Sequence, residues 1–173
     1  IEMILSVTPP AYITENATAG LIPDILSALT KADPGLDFDF ASHDGRAAML
    51  PWSRIQNVTR QGGLDCFFGA DRNDKRDSSY KLISIPLYTV NHMVAMRIED
   101  AAAPETMQQL AELSNKPNGA INMLFGSSTV IYLKSKAPEA QIDDSNYSVK
   151  DALNHLAQGK GRFAYYHDMG LKN

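Results

Sequence analysis

The chain has 173 residues, 44% of them hydrophobic, and a formal net charge of −4. This length and apolar content suffice for one domain or two small lobes with a core, and they exclude wholesale disorder. The acidic balance argues against a nucleic-acid partner, which would need a basic surface. No run of 18 or more apolar residues occurs, so the sequence predicts no membrane-spanning helix.

The first 50 residues predict the opening of a parallel α/β unit. The apolar segment Ile1–Val7 predicts a strand that ends at Pro9-Pro10, because proline cannot donate to a ladder. Leu36–Phe40 alternates apolar and acidic residues, which predicts a strand with one solvated face. His43–Leu50 fits no element and is predicted to be a loop. Between the two strands, apolar residues at helical spacing predict a helix: Ile22, Ile25, Leu26 and Leu29.

The next stretch predicts a helix, a turn and a buried strand. Ile55 and Val58 fall at helical spacing, and Gly62-Gly63 end that helix. The apolar run Leu64–Phe68 is typical of a strand covered on both faces. Cys66 lies inside this run, so we expect a buried, unreactive thiol. One cysteine also excludes an intramolecular disulfide.

A polar loop, residues 70–76, follows the predicted strand and ends in Arg76. Ligands of open α/β sheets collect outside the carboxyl ends of the strands, so this loop is a candidate anion site. A guanidinium can bind a carboxylate with two parallel hydrogen bonds, which makes Arg76 the candidate anchor. Asn73 and the backbone near Ala70 and Asp71 are expected to assist.

The second half of the chain repeats the alternation of strands and helices. Val90–Arg97 and Ala120–Leu124 predict strands, and a small-residue connector over 98–104 leads into a helix. Later elements are a helix that begins at Ser148 and a turn, strand and loop over Gly161–Asp168. Tyr165 and Tyr166 alternate faces on that strand, so we expect one ring in the core and the other at a cleft.

The segment after Ala120–Leu124 combines glycine, two hydroxyls and the start of a helix, in Gly126-Ser127-Ser128. Free backbone N–H groups and the positive end of the helix dipole favour an anion at such a place. Plain N-capping by serine is the alternative interpretation, because serine caps many helices. The residues alone leave both open.

Four segments in order resemble the type II periplasmic solute-binding proteins, in their amino-acid-binding (family 3) branch. They are similar to that family's Trp-x-Arg, Gly-x-x-Asp, Thr-x-x-Arg and Ser-x-Pro-Tyr segments. The chain departs from the family at Asn73, where threonine is usual, so an amide donor would replace a hydroxyl. The matching segments here are Trp52-Ser53-Arg54, Gly62–Asp65, Asn73–Arg76 and Ser84–Tyr88.

The resemblance also implies roles for residues outside these segments. The turn after the first strand implies that Tyr12 walls the ligand cleft, with a surface aromatic as the alternative. The Gly-Ser-Ser turn implies that Ser127 and Ser128 contact a ligand carboxylate. The segment ending at Asp168 implies that this acid holds a ligand ammonium group, although Ala164 replaces an earlier family acid; a solvated loop acid is the alternative.

The resemblance implies an α/β, two-lobed periplasmic binding protein type II architecture with a central ligand cleft. Lobe 1 would cover residues 1–92 and lobe 2 residues 93–173. Family members return to the first lobe after the second, so we expect that C-terminal return segment to be missing from a chain ending at Asn173.

The implied function is capture of a small amino-acid-like or carboxylate ligand for ABC-type transport. The partner would be a membrane transporter permease or a receptor, the location periplasmic or extracytoplasmic, and the protein a monomer. No catalytic motif, metal site or cofactor site is predicted. Two alternatives remain: the ligand-sensing input domain of a membrane signalling receptor, and an enzyme of the cyclohexadienyl dehydratase-like type.

Overall fold

The structure is a computed structural model. It describes residues 2–3, 5–6, 11–13, 18–40, 42–43, 46–47, 49–50, 52–70, 76, 78–83, 85–100 and 103–171. The chain divides into two compact units, residues 1–87 and residues 88–173. The assignment of these regions to lobes with a boundary at residues 92 and 93 stays a prediction.

The described part of the first unit contains helices α1 and α2 and pairs of short strands. Strands β1 and β5, which precede and follow helix α1 in the chain, pair in parallel, and β2 pairs in parallel with β8. Strands β3 and β4 form one antiparallel pair, and β6 and β7 another. The elements are β1 (Glu2–Met3), β2 (Leu5–Ser6), β3 (Ala11–Ile13), β4 (Thr18–Gly20), α1 (Leu21–Ala32), β5 (Asp39–Phe40), β6 (Ser42–His43), β7 (Arg46–Ala47), β8 (Met49–Leu50) and α2 (Trp52–Arg60).

These pairings confirm the parallel strand–helix–strand unit predicted at the start of the chain. They contradict the loop predicted at His43–Leu50. Glu2 and Met3 pair with Asp39 and Phe40, so a strand–helix–strand crossover is present. The loop prediction is wrong, because β7 pairs antiparallel with β6 and β8 pairs in parallel with β2. Each of these strands has only two residues, which is too short to give a readable alternation.

Helix α2 covers a small apolar cluster in the first unit. Ile55 and Leu64 are its buried members, and Leu50, Val58 and Phe67 pack against them. The helix ends at Arg60, before the Gly62-Gly63 turn that the sequence predicts. A Cβ on Gly63 would lie 2.9 Å from Cγ1 of Val58, so a larger residue here would require the Val58 side chain to shift.

The prediction of a buried strand over Leu64–Phe68 is wrong. Leu64 is buried, but Asp65 is exposed and the three residues that follow are half-buried. Only Cys66 has a β-bridge. Asp65 interrupts the apolar run and Gly69, at φ +81°, follows it, so the segment is too short and too polar for a strand covered on both faces. Burial, with the charge of Asp65, raises the pKa of the Cys66 thiol.

The second unit is a four-stranded sheet with helices, in the strand order β11-β10-β12-β9. Strands β10, β11 and β12 run in parallel, and β9 pairs antiparallel with β12. The predicted strands and helices of this half are confirmed. Its elements are β9 (His92–Met96), α3 (Met107–Ser114), β10 (Ile121–Leu124), α4 (Ser128–Lys136), β11 (Ile142–Asn146), α5 (Val149–Ala157), β12 (Phe163–His167) and α6 (Asp168–Leu171).

Strands β10 and β12 bury residues on both faces of this sheet. One cluster includes Ile121, Met123 and Tyr165 and packs with residues of α3 and α4. The other contains Leu124 and Tyr166, which pack with Val149 of α5. Both tyrosine rings are therefore buried, and the expectation that one of them lies at a cleft is wrong. Within the described ranges, no helix is both long enough and apolar enough to cross a membrane.

Candidate functional site

Arg76 is buried, with 5% of its surface exposed. Its carbonyl oxygen accepts hydrogen bonds from the backbone N–H groups of Ser79 at 2.9 Å and Tyr80 at 2.8 Å. Arg76 itself is helical, and these bonds close a turn that follows it. The predicted helpers Asp71 and Asn73 lie outside the described residues, and Ala70 is half-buried.

Tyr80 attaches this turn to the rest of the first unit. Its hydroxyl donates to the carbonyl oxygen of Gln56 in α2 at 2.9 Å, and accepts from Nη2 of Arg60 at 3.4 Å. Its ring makes an edge-on contact with Phe67, with centroids 5.3 Å apart. The turn that carries Arg76 is thus held by a hydrogen bond and a ring contact, which favours one fixed backbone position.

The chemistry of a buried guanidinium suits anion recognition. A charge removed from water is costly unless hydrogen bonds and opposite charges compensate it. The guanidinium carries five N–H donors in a planar fork, so it can keep a structural partner and still bind a carboxylate. In an environment of low dielectric constant such a charged hydrogen bond is also stronger than in water.

In the second unit, Ser127 and Ser128 lie together at the start of α4. Ser127 is the N-cap residue and is buried, but its side chain makes no hydrogen bond to the first turn. Its Oγ lies 2.6 Å from Oγ1 of Thr129, which is also buried. Ser128 is half-buried. Gly126 has φ +69°, a left-handed conformation that glycine adopts readily.

Two other helices of this unit show what ordinary capping looks like. Thr106 Oγ1 accepts from the N–H of Gln109 at 3.1 Å, at the start of α3. Ser148 Oγ accepts from the N–H of Asp151 at 3.0 Å, at the start of α5. Ser127 differs from both, so plain side-chain capping does not account for its hydroxyl.

Asp168 is engaged by neighbouring residues of the second unit. Its Oδ1 accepts from the backbone N–H groups of Asn91 at 3.2 Å and Met169 at 3.0 Å. Its Oδ2 accepts from Nδ2 of Asn91 at 3.1 Å. The carboxylate therefore joins the segment before β9 to the end of β12, a role that the sequence did not reveal. Its predicted contact with a ligand ammonium group stays a prediction.

Two further points from the sequence concern Tyr12 and metal binding. Tyr12 lies on β3, opposite Ala19 of β4. Among the residues that the structure describes, no group of three or more histidine, cysteine or acidic side chains could hold a metal ion. Arg76 belongs to the first unit, and Ser127, Ser128 and Asp168 belong to the second.

An aromatic pair in the second unit is not among the residues predicted from the sequence. Phe125 directly follows β10 and Tyr147 directly follows β11. Their ring centroids are 5.7 Å apart, and 45% and 60% of their surfaces are exposed. The available signal was that Phe125 directly follows a predicted strand and precedes a glycine; for Tyr147 no such signal existed, because β11 is not predicted from the sequence.

No family model matches the sequence, and no curated protein matches it. Solved structures do resemble the chain. An ancestral arginine-binding protein bound to arginine has a TM-score of 0.77 at 15% identity, over 99% of this chain and 70% of that one. The substrate-binding protein of an amino acid ABC transporter has a TM-score of 0.74 at 17% identity, over 99% and 71%.

A third structure is an ancestral amino-acid-binding protein described as a precursor of cyclohexadienyl dehydratase. It has a TM-score of 0.74 at 17% identity, over 96% of this chain and 68% of that one. At such identities the likeness shows the fold alone. The mixed α/β fold is that of amino-acid-binding proteins, and the resemblance to periplasmic solute-binding proteins is confirmed for the fold.

Proposed function

We propose that this chain is an extracytoplasmic solute-binding protein that captures a small amino-acid-like or carboxylate ligand between two lobes. The observation that carries the proposal is the buried Arg76, held in a fixed turn. The fold supports it, because proteins that share this fold across 96% to 99% of the chain include amino-acid-binding proteins.

In the proposed site, Arg76 anchors the ligand carboxylate. Asn73 and the backbone near Ala70 and Asp71 add donors from the same loop, and Tyr12 forms a wall. Ser127 and Ser128 contact the ligand from the second lobe with hydroxyl and backbone N–H groups, as helix N-termini do for anions. Asp168 contacts an ammonium group when the ligand has one.

The proposed mechanism is capture by closure. A ligand that contacts both lobes favours the closed state by its differential affinity for that state. The closed, loaded protein then delivers the ligand to a membrane transporter permease, and it works as a monomer in the periplasm. The substrate-binding protein of an amino acid ABC transporter, which shares the fold, supports this role.

An enzyme is the second candidate, and one observation favours it. One protein with this fold is described as a precursor of cyclohexadienyl dehydratase. That protein is itself described as an amino-acid-binding protein, so binding without turnover is the preferred proposal. Incubating the protein with any identified ligand and measuring product formation separates the two functions.

The first test is a thermal-shift screen of amino acids, small carboxylates and polyamines. A ligand present at 100 times its dissociation constant should add about 2.7 kcal/mol to the free energy of unfolding. A carboxylate-bearing compound is expected to raise the melting temperature. A response to polyamines alone would contradict an arginine-anchored site, because a guanidinium repels such cations.

The second test is calorimetric titration of Arg76 variants with the ligand from the screen. Arg76→Ala should weaken binding by about 2–5 kcal/mol, because it leaves a desolvated carboxylate without its partner. Arg76→Lys should restore part of the affinity, because the charge returns without the fork. Ser127→Ala should have a smaller effect, since the backbone donors remain.

The control for these variants is Arg54→Ala, which removes an exposed arginine of the same unit. It should leave affinity unchanged. Circular dichroism verifies that each variant is folded, and Arg76→Lys keeps the test informative if the alanine variant is not. Binding of Arg76→Ala within threefold of the unmodified protein would remove Arg76 from the site.

A further inference from the structure

Phe125 and Tyr147 form a pair of exposed aromatic rings at one edge of the second unit's sheet. Each ring follows the carboxyl end of a parallel strand, and the two strands are neighbours. The rings are inclined at 48° with centroids 5.7 Å apart. Ligands of α/β sheets bind outside these strand ends, so the pair lies where a ligand is expected.

The backbone holds this pair in place. The N–H of Phe125 donates to the carbonyl oxygen of Asn146 at 2.7 Å, which joins the two strand ends. Asn146 is buried, and its side-chain amide donates to the carbonyl oxygen of Met123 at 3.2 Å. The rings are therefore presented by a fixed scaffold rather than by a long loop, which lowers the entropic cost of binding.

The pair is next to the proposed carboxylate contact. Phe125 lies two positions before Ser127, the N-cap residue of α4. A helix N-terminus favours an anion, and aromatic faces favour a cation or another planar group. An amino acid with a planar side chain carries both features, because its carboxylate and its planar group lie at opposite ends.

We infer that Phe125 and Tyr147 bind the side chain of the ligand by stacking, and that this side chain is planar, either a guanidinium or an aromatic ring. The inference rests on the proposed function and narrows its ligand class. Both kinds of side chain offer a flat surface to an aromatic face, so the shared chemistry is a planar π system.

The test is calorimetric titration with four amino acids: arginine, phenylalanine, lysine and alanine. Arginine and phenylalanine distinguish a guanidinium from an aromatic ring. Lysine supplies a cation without a plane, and alanine supplies the main chain alone. The proteins are the unmodified chain, Phe125→Ala, Tyr147→Ala and the control Ile131→Ala, which removes an exposed apolar residue of α4 that is 45% exposed.

We expect the unmodified protein to bind arginine or phenylalanine more tightly than lysine and alanine. Phe125→Ala and Tyr147→Ala should each lower the affinity for the preferred planar ligand by roughly 5- to 30-fold. Their affinity for alanine should change by less than about twofold, and Ile131→Ala should change neither. This pattern would support the stacking pair.

Three results would overturn the inference. If the aromatic variants keep full affinity for the planar ligand, the pair has another role while the proposed function stands. If they lose alanine binding equally, the rings affect the fold of the site rather than a side chain. If the unmodified protein binds no amino acid or carboxylate, the proposed function fails together with this inference.

Discussion

Replacing Tyr165 by phenylalanine is expected to stabilise the second unit. Tyr165 is 1% exposed, and its hydroxyl has no hydrogen-bond partner among the described residues. The ring itself packs in the cluster between the sheet and helices α3 and α4, and phenylalanine keeps that packing. Only the desolvated hydroxyl is lost.

The magnitude follows from the burial of that hydroxyl. A buried polar group without a partner costs about 1–3 kcal/mol. We therefore expect Tyr165→Phe to raise the free energy of unfolding by about 1–2 kcal/mol at pH 7. A matched control is Tyr147→Phe, which removes a hydroxyl from a ring that is 60% exposed and should have little effect on stability.

Alkaline pH should increase the difference in unfolding free energy between Tyr165→Phe and the unmodified protein. Burial, with a smaller contribution from Tyr132, raises the pKa of Tyr165 to about 12. An unfolded tyrosine ionises near pH 10, so between roughly pH 10 and 12 the unfolded state binds fewer protons than the folded state. The free energy of unfolding then falls as pH rises, by roughly 2–3 kcal/mol over this interval. Tyr165→Phe lacks this loss.

The assay is urea unfolding followed by far-ultraviolet circular dichroism at pH 7, 9, 11 and 11.5. The quantity compared is the difference in unfolding free energy between each variant and the unmodified protein, which cancels the titration of all other groups. A Tyr165→Phe variant that is less stable at pH 7, with a difference that stays constant to pH 11.5, would show that the hydroxyl has a stabilising partner.

Two further predictions concern a glycine and the cysteine. Gly161→Ala should lower the free energy of unfolding by roughly 2–4 kcal/mol, because φ is +81° and the new Cβ would lie 2.6 Å from the Ala120 carbonyl oxygen. The control is Gly159→Ala, at φ +73° with open space around it. In the same denaturation assay it should lower the free energy of unfolding by only about 1 kcal/mol. Cys66 should react with a thiol reagent at pH 8 several-fold more slowly in the native protein than in urea, because its pKa is raised; equal rates would contradict this.

Most elements of the second unit could be predicted from the sequence because their signals are local; β11 was not predicted, because Ile142–Asn146 is mostly polar. Ser148, Asp151 and Gly159 mark the ends of α5, and the apolar spacing between them marks its buried face. The run Ala120–Leu124 predicts a strand, and β10 covers Ile121–Leu124. Capping and hydrophobic periodicity act over a few residues, so they remain readable without tertiary contacts.

In the first unit the local signals were weaker. Strand pairs of two residues give no alternation, so the sequence predicts a loop over His43–Leu50 where β6, β7 and β8 contribute strands. The apolar run at 64–68 resembled a strand, but only Leu64 is buried there. Pairing and burial depend on which segments meet, and that is not encoded in a five-residue window.

The sequence by itself determined the α/β class and most elements of the second unit, and together with the family resemblance it named Arg76, Ser127, Ser128 and Asp168 as candidate site residues. The tertiary structure decided that Arg76 is buried and that the hydroxyl of Ser127, the N-cap residue of α4, pairs with Thr129 rather than with the first turn of the helix. It also decided that Asp168 bonds to Asn91, a residue 77 positions earlier in the chain. Such partners meet because β9 lies beside β12 in the sheet and pairs antiparallel with it, a topology that no local pattern specifies.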